Sequence, residues 1–234
     1  MYGYNLEEGA KELIAPNFYD DNKEIKIPLD PTKTARENSQ KYFDRYGKLK
    51  RTAEALDTLL AETKAEIDHL ESIQNSLDIA LSADDLVQIK QELTEYGFIK
   101  KHRTGKKEKV KSKPFHYLSS DGYDMYVGKN NYQNDELTFK FATGNDWWFH
   151  AKGMPGSHVI VKNKGEEMPD RVYEEAAMLA GYYSKGRESD KIEIDYLQKK
   201  NVKKPAGSAP GFVVYYTNFS MTIHPDISAL TLLE

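Results

Sequence analysis

The chain contains no cysteine. That one absence removes disulfides, thiolate zinc sites, iron-sulfur clusters and cysteine nucleophiles together, and suits a chain that does not depend on oxidative folding. No apolar run approaches the roughly 20 residues needed to span a bilayer, so membrane insertion is not expected. Residues 1–8 have neither a basic flank nor an apolar stretch of signal-peptide length, which makes the cytoplasm the expected location. The sequence also lacks HExxH, a P-loop, G-x-G-x-x-G and a G-x-S-x-G elbow, so metalloprotease, nucleotide-hydrolysing, dinucleotide-binding and serine-hydrolase readings have no support. No cofactor and no catalytic set are implied.

What is present is a chain of 234 residues, 39% hydrophobic, 30% charged and 12% aromatic. That is long enough for a real core and too aromatic for disorder. The formal net charge of −4 conceals an uneven distribution. Residues 1–99 carry 12 basic and 20 acidic side chains, whereas 100–234 carry 21 and 17. Within the second part, segment 100–113 alone holds eight basic residues and one acidic. Such a stretch is either a solvated linker or a localised polyanion contact.

The pattern divides the chain into four. Residues 1–36 are a short leading segment, where Ile25-Lys26-Ile27-Pro28-Leu29 alternates like an edge strand whose partner is expected elsewhere in the chain. Thr34 and Glu37 have capping-box spacing and open a long helix. Leu49, Leu56, Thr63, Leu70 and Leu77 recur every seven residues, with Ala53, Leu60, Ile67 and Leu81 filling the second row of a heptad seam. A break at 82–84 and a second series, Leu86, Ile89, Leu93 and Tyr96, predict a short return helix over 84–97 and hence an antiparallel coiled-coil arm over 37–99. The seam either holds two helices together or builds an arm for reach. Residues 100–113 are the basic linker. From 114 to 234 the pattern turns to short strands at 116–118, 123–127, 147–151, 158–161, 192–196, 212–216 and 219–223, with one helix near 169–185. The fold class is therefore α+β.

Two loops combine basic residues with glycine, Lys152 to His158 and Lys203 to Gly211. Glycines let backbone N–H groups approach phosphates, although Gly and Pro also make ordinary turns. Trp147, Trp148, Tyr132, Tyr182 and Tyr183 are potential base-stacking platforms, of which only one or two are expected to be exposed. His150 and His158 lie on strands that could pair, but no third ligand is evident, so a metal site is not expected.

Gly128-Lys129-Asn130-Asn131-Tyr132-Gln133-Asn134-Asp135, Asp146 to Lys152, Pro155 to Ile160, Glu174 to Ala177, Tyr183-Ser184-Lys185 and Val202-Lys203-Lys204-Pro205 together resemble the NFACT-R domain of the bacterial RqcH family. Its members are also called fibronectin-binding protein A or NFACT proteins, and the family includes eukaryotic NEMF. The helical arm with Asn38, Tyr42, Phe43 and Tyr46 near its start is similar too. The resemblance implies a ribosome-associated quality control factor that binds obstructed large ribosomal subunits and tRNA for C-terminal alanine tailing. It implies the C-terminal half of a longer protein, with the family's NFACT-N domain and helix-hairpin-helix region lying outside this chain. Members in Gram-positive cocci are also described as surface adhesins that bind fibronectin. The residues expected to contact rRNA or tRNA are Lys129, Asn130, Asn131, Gln133, Asn134, Asp135, His150, Lys152, Ser157, His158, Lys185, Lys203 and Lys204, with lysines on phosphates and Asn, Gln and His on bases or sugars. Asn134 and Asp135 alternatively cap the turn into a following helix.

Overall fold

The computed structural model describes residues 6–100 and 112–233, so most of the basic linker lies outside the described residues. Two units divide within the first helix, at Lys64 and Ala65.

In the first unit the alternating stretch does form a strand, β2 (Lys23–Pro28), but its partner is close in sequence. Strand β1 (Glu12–Asn17) pairs with it antiparallel, with Leu13 opposite Ile27. Asp21 and Asn22 take φ of 47° and 59°, the left-handed region that short polar side chains tolerate, and so close the hairpin. Helix α1 (Ala35–Ile79) starts with the expected capping box: the Glu37 N–H donates to Thr34 Oγ1 at 3.3 Å, and Glu37 Oε2 accepts the Thr34 N–H at 2.8 Å. Buried Asn38 ties this start to the preceding turn by accepting the Asp30 N–H at 2.8 Å.

Much of the heptad seam is open to solvent, in keeping with a return helix expected to be far shorter than the first. Leu49, Leu56, Leu60, Ile67, Leu70 and Leu77 are all exposed. The return helix α2 (Ala83–Glu95) has 13 residues against 45 in α1, so it meets only the last turns, where His69 Nε2 lies 2.7 Å from Glu92 Oε1. Its start is a second capping box, Ser82 with Asp85.

The rest of the second unit is a seven-stranded antiparallel sheet in the order β8-β7-β5-β6-β4-β3-β9. The strands are β3 (Phe115–Leu118), β4 (Asp124–Val127), β5 (Trp147–Ala151), β6 (Val159–Val161), β7 (Ile192–Gln198), β8 (Phe219–Ile223) and β9 (Thr231–Leu232). Because successive residues point to opposite faces, this sheet builds two cores. Phe149, Val159, Val161 and Ile194 face α4 (Asp170–Tyr182), which presents Val172, Ala176, Leu179 and Ala180. Trp148, Ile160 and Leu197 face the other way, under Leu137, Ala142 and Val202. Part of that second cover comes from the π-helical turn Leu137–Phe141, which continues α3 (Asn131–Glu136). Residues 212–216 do not form the expected strand. A single bridge, Lys203 with Val214, holds an extended segment whose alternate residues Val213 and Tyr215 pack on the second core.

Candidate nucleic-acid interface

The asparagine-rich motif after β4 is internal. Gly128 approaches α3 so closely that the chain turns directly into the helix. Asn130 is the N-cap, its Oδ1 accepting the Gln133 N–H at 3.0 Å, so Asn134 and Asp135 lie within the helix and do not cap it. The motif's side chains clamp α3 to the helices before it. Asn131 Nδ2 donates to Ser72 Oγ at 2.8 Å and Glu92 Oε1 at 2.9 Å. Asn130 Nδ2 and Gln133 Nε2 both donate to Gln88 Oε1, at 2.9 and 3.1 Å. Asn134 Oδ1 accepts the His158 N–H at 3.0 Å. Lys129 places Nζ 3.2 Å from Asp85 and 4.4 Å above the Phe115 ring. Burial works to raise the Asp85 pKa, but hydrogen bonds from Ser112, the Leu81 N–H, Lys129 and Ser82 outweigh it and hold the carboxyl at about 2.

The 152–158 loop is likewise built into the domain. Its Pro155 carbonyl accepts the Lys185 N–H at 2.9 Å, and the Ser157 N–H donates to Tyr183 O at 2.9 Å. Buried Ser157 Oγ has no hydrogen-bond partner among the described residues. His158 is buried with Nδ1 2.7 Å from Thr138 Oγ1 and its ring 5.5 Å from that of His150. Burial lowers the pKa of His150 to about 4, and burial together with His150 lowers that of His158 well below the ordinary value, so both rings are neutral at physiological pH. No group of three metal-ligating side chains occurs among the described residues. Lys152 pairs with Glu193, and Lys185 with Glu71 at 2.9 Å.

The second glycine loop differs. Lys203 is exposed and makes no side-chain bond among the described residues, while Lys204 pairs with Asp135. Reasoning from sequence missed the residues around them. Lys199 and Lys200 precede in the 3-10 turn Lys199–Asn201, giving four lysines in six residues, a doublet repeat that was legible in the chain. Lys199 and Lys204 lie 5.8 and 6.0 Å from the Phe139 ring centre, so this aromatic draws the ridge together. Because Val213 and Tyr215 turn inward, Phe212 and Tyr216 turn out beside Lys203, 55% and 87% exposed. Of the expected platforms, Trp148 and Tyr183 are buried, Tyr182 lies under Arg187, and Tyr132 bonds Glu95.

A family model described as the NFACT N-terminal and middle domains matches residues 1–112, and one described as the NFACT protein RNA binding domain matches 113–216. The first match places the hairpin and arm within a model that takes in the domain expected to lie outside this chain. The chain is 42% identical over 224 residues to the Rqc2 homolog RqcH of Streptococcus pneumoniae, covering 95% of this chain and 40% of that protein. It is 35% identical over 235 residues to the Rqc2 homolog RqcH of Bacillus subtilis, covering 99% and 41%. It thus spans 40 to 41% of the length of these relatives. The solved C-terminal part of the fibronectin/fibrinogen-binding protein from Streptococcus suis superposes with a TM-score of 0.74 at 42% identity, covering 83% of this chain and 77% of that one.

Proposed function

We propose, from the premise that this chain belongs to the NFACT family, that it is the RNA-contacting part of a ribosome-associated quality control factor. One observation carries the reading: the lysine ridge 199–204, exposed at Lys200, Lys203 and Lys204, beside the outward rings of Phe212 and Tyr216. Lysines hold phosphates without reading sequence, and exposed aromatic rings stack on unpaired bases. Lys203 and Lys200 are the free phosphate contacts in this proposal, with Lys199 and Lys204 beside them. Asn130, Asn131, Gln133, Asn134 and Ser157 act at one remove, by fixing the frame that carries the ridge. The partners we assign are ribosomal RNA of the large subunit and tRNA, and participation in alanine tailing belongs to the longer protein. The role we assign is one of binding, and the location that goes with it is the cytoplasm, a reading supported by the likeness to RqcH proteins.

The test is binding to purified large subunits and to tRNA between about 50 and 300 mM salt. Replacing Lys200 and Lys203 with alanine should weaken binding and lower the salt slope by about one unit per contact. Lys152→Ala, which removes a cation already paired with Glu193, should leave the slope nearly unchanged. An unchanged slope in the double variant overturns the assignment.

The likeness to the Streptococcus suis protein favours a second reading, recognition of fibronectin. Strand β8 ends the sheet and offers an edge for strand addition. Saturable, salt-insensitive binding to fibronectin with no affinity for RNA would make that reading primary.

A further inference from the structure

The face of the sheet that carries α4 holds a groove of about 660 Å³. It lies on the side opposite the second core. Its floor is aromatic because Trp147, Tyr196 and Phe219 occupy successive strands on one face. Tyr196 pairs directly with Phe219, their rings 5.5 Å apart. Trp147 lies 5.9 Å from Tyr196 and meets Tyr173 of α4 edge-on at 4.9 Å. Glu167, Asp170 and Glu174 stand around these rings, and none of the three forms a salt bridge among the described residues. His224 is the only basic side chain in the lining.

The neighbouring cations are engaged elsewhere. Arg171 reaches back to Glu175 at 3.3 Å, Lys162 pairs with Asp146, and Lys164 lies 4.5 Å above Tyr123. Other rings of this unit carry cations of its own, Lys129 on Phe115, Lys162 on Phe141 and Arg187 on Tyr182. The four groove rings carry none among the described residues. The Tyr173 hydroxyl is shifted upward by burial first and then by Tyr196, Glu167 and Asp170, consistent with negative surroundings.

Ring faces and carboxylates attract the same ligand, a flat or compact cation, and repel phosphate. We propose that this groove binds an arginine-bearing basic segment of a partner protein, with a guanidinium stacked among Trp147, Tyr196 and Phe219 and the flanking cations set against Glu167, Asp170 and Glu174. RNA is disfavoured there by the same three carboxylates. The groove would thus give the domain a protein-binding face on the side of the sheet away from its lysine ridge.

The probe is the octapeptide (Arg-Gly)4, titrated calorimetrically into the whole chain, with (Glu-Gly)4 as its counterpart. Saturable binding of the arginine peptide alone is expected. Phe219→Ala removes an exposed ring, so folding is not at stake, and should weaken binding about fivefold or more. Glu167→Gln with Glu174→Gln should weaken it and flatten its salt dependence, while Lys203→Ala should leave it unchanged. Failure to saturate by about 1 mM peptide, equal binding of the glutamate peptide, or wild-type affinity in Phe219→Ala would each overturn the proposal. RNA binding should survive Phe219→Ala, and its parallel loss would overturn the assignment of a separate face.

Discussion

Adding one methyl group at Gly128 tests how the domain is held together. A Cβ there would lie 2.2 Å from Asn134 Oδ1, 2.9 Å from Asn134 N and 3.1 Å from Asn134 Cα. The amide oxygen can swing away, but it accepts the buried His158 N–H at 3.0 Å, and losing that partner costs about 1–3 kcal/mol. The backbone nitrogen belongs to α3 and cannot rotate aside, so the helix must shift, which overpacked cores resist by about 1–3 kcal/mol. Gly128→Ala should therefore lose about 3–4 kcal/mol. Gly153→Ala is the control: its φ of +66° is unfavourable for alanine, but nothing lies within 4 Å. It should cost only about 1–2 kcal/mol. Both tryptophans, Trp147 and Trp148, sit in β5, so urea unfolding followed by their fluorescence reports this unit. With a slope of about 2 kcal/mol/M, the Gly128→Ala midpoint should fall by about 1.5–2 M. A midpoint equal to that of wild type, or a larger loss in Gly153→Ala, would refute the reasoning.

Ser157→Ala should leave stability unchanged or raise it by up to about 1 kcal/mol, since the buried hydroxyl has no partner to lose, and a clear fall in Tm would contradict that. Lys129→Met should cost about 2–4 kcal/mol by leaving Asp85 buried without its cation, while the salt slope of RNA binding stays put; a reduced slope would return Lys129 to the interface. His150 and His158 have folded pKa values below the ordinary 6.5, so the unfolded chain takes up protons first and stability, complete above that pH, falls as pH drops toward 4. His158→Gln should roughly halve that fall between pH 6.5 and 4 in urea titrations, and an undiminished dependence would count against the buried neutral ring.

Local chemistry was readable without coordinates. The Thr34 cap, the break at 82–84, the strands on either side of Gly122, the helix near 169–185 and the switch from helical to strand periodicity depend on residues within a few positions of one another, where propensity and spacing act directly. The α+β class follows from those elements. Partnership was not readable. The length of the heptad row shows that a short return helix cannot cover all of it but not what else meets the remainder, and Leu49 and Leu56 are exposed. Polar residues chosen as RNA contacts, such as Asn131 and Gln133, are equally able to satisfy buried donors and acceptors of their own chain, and the packing of α2 against α3 uses them that way. The aromatic groove arises because a sheet sends alternate residues to opposite faces, whereas the lysine ridge lies on the 3-10 turn and loop that follow β7. Which face meets a helix and which meets solvent is set by topology, a long-range property that short spacings do not carry.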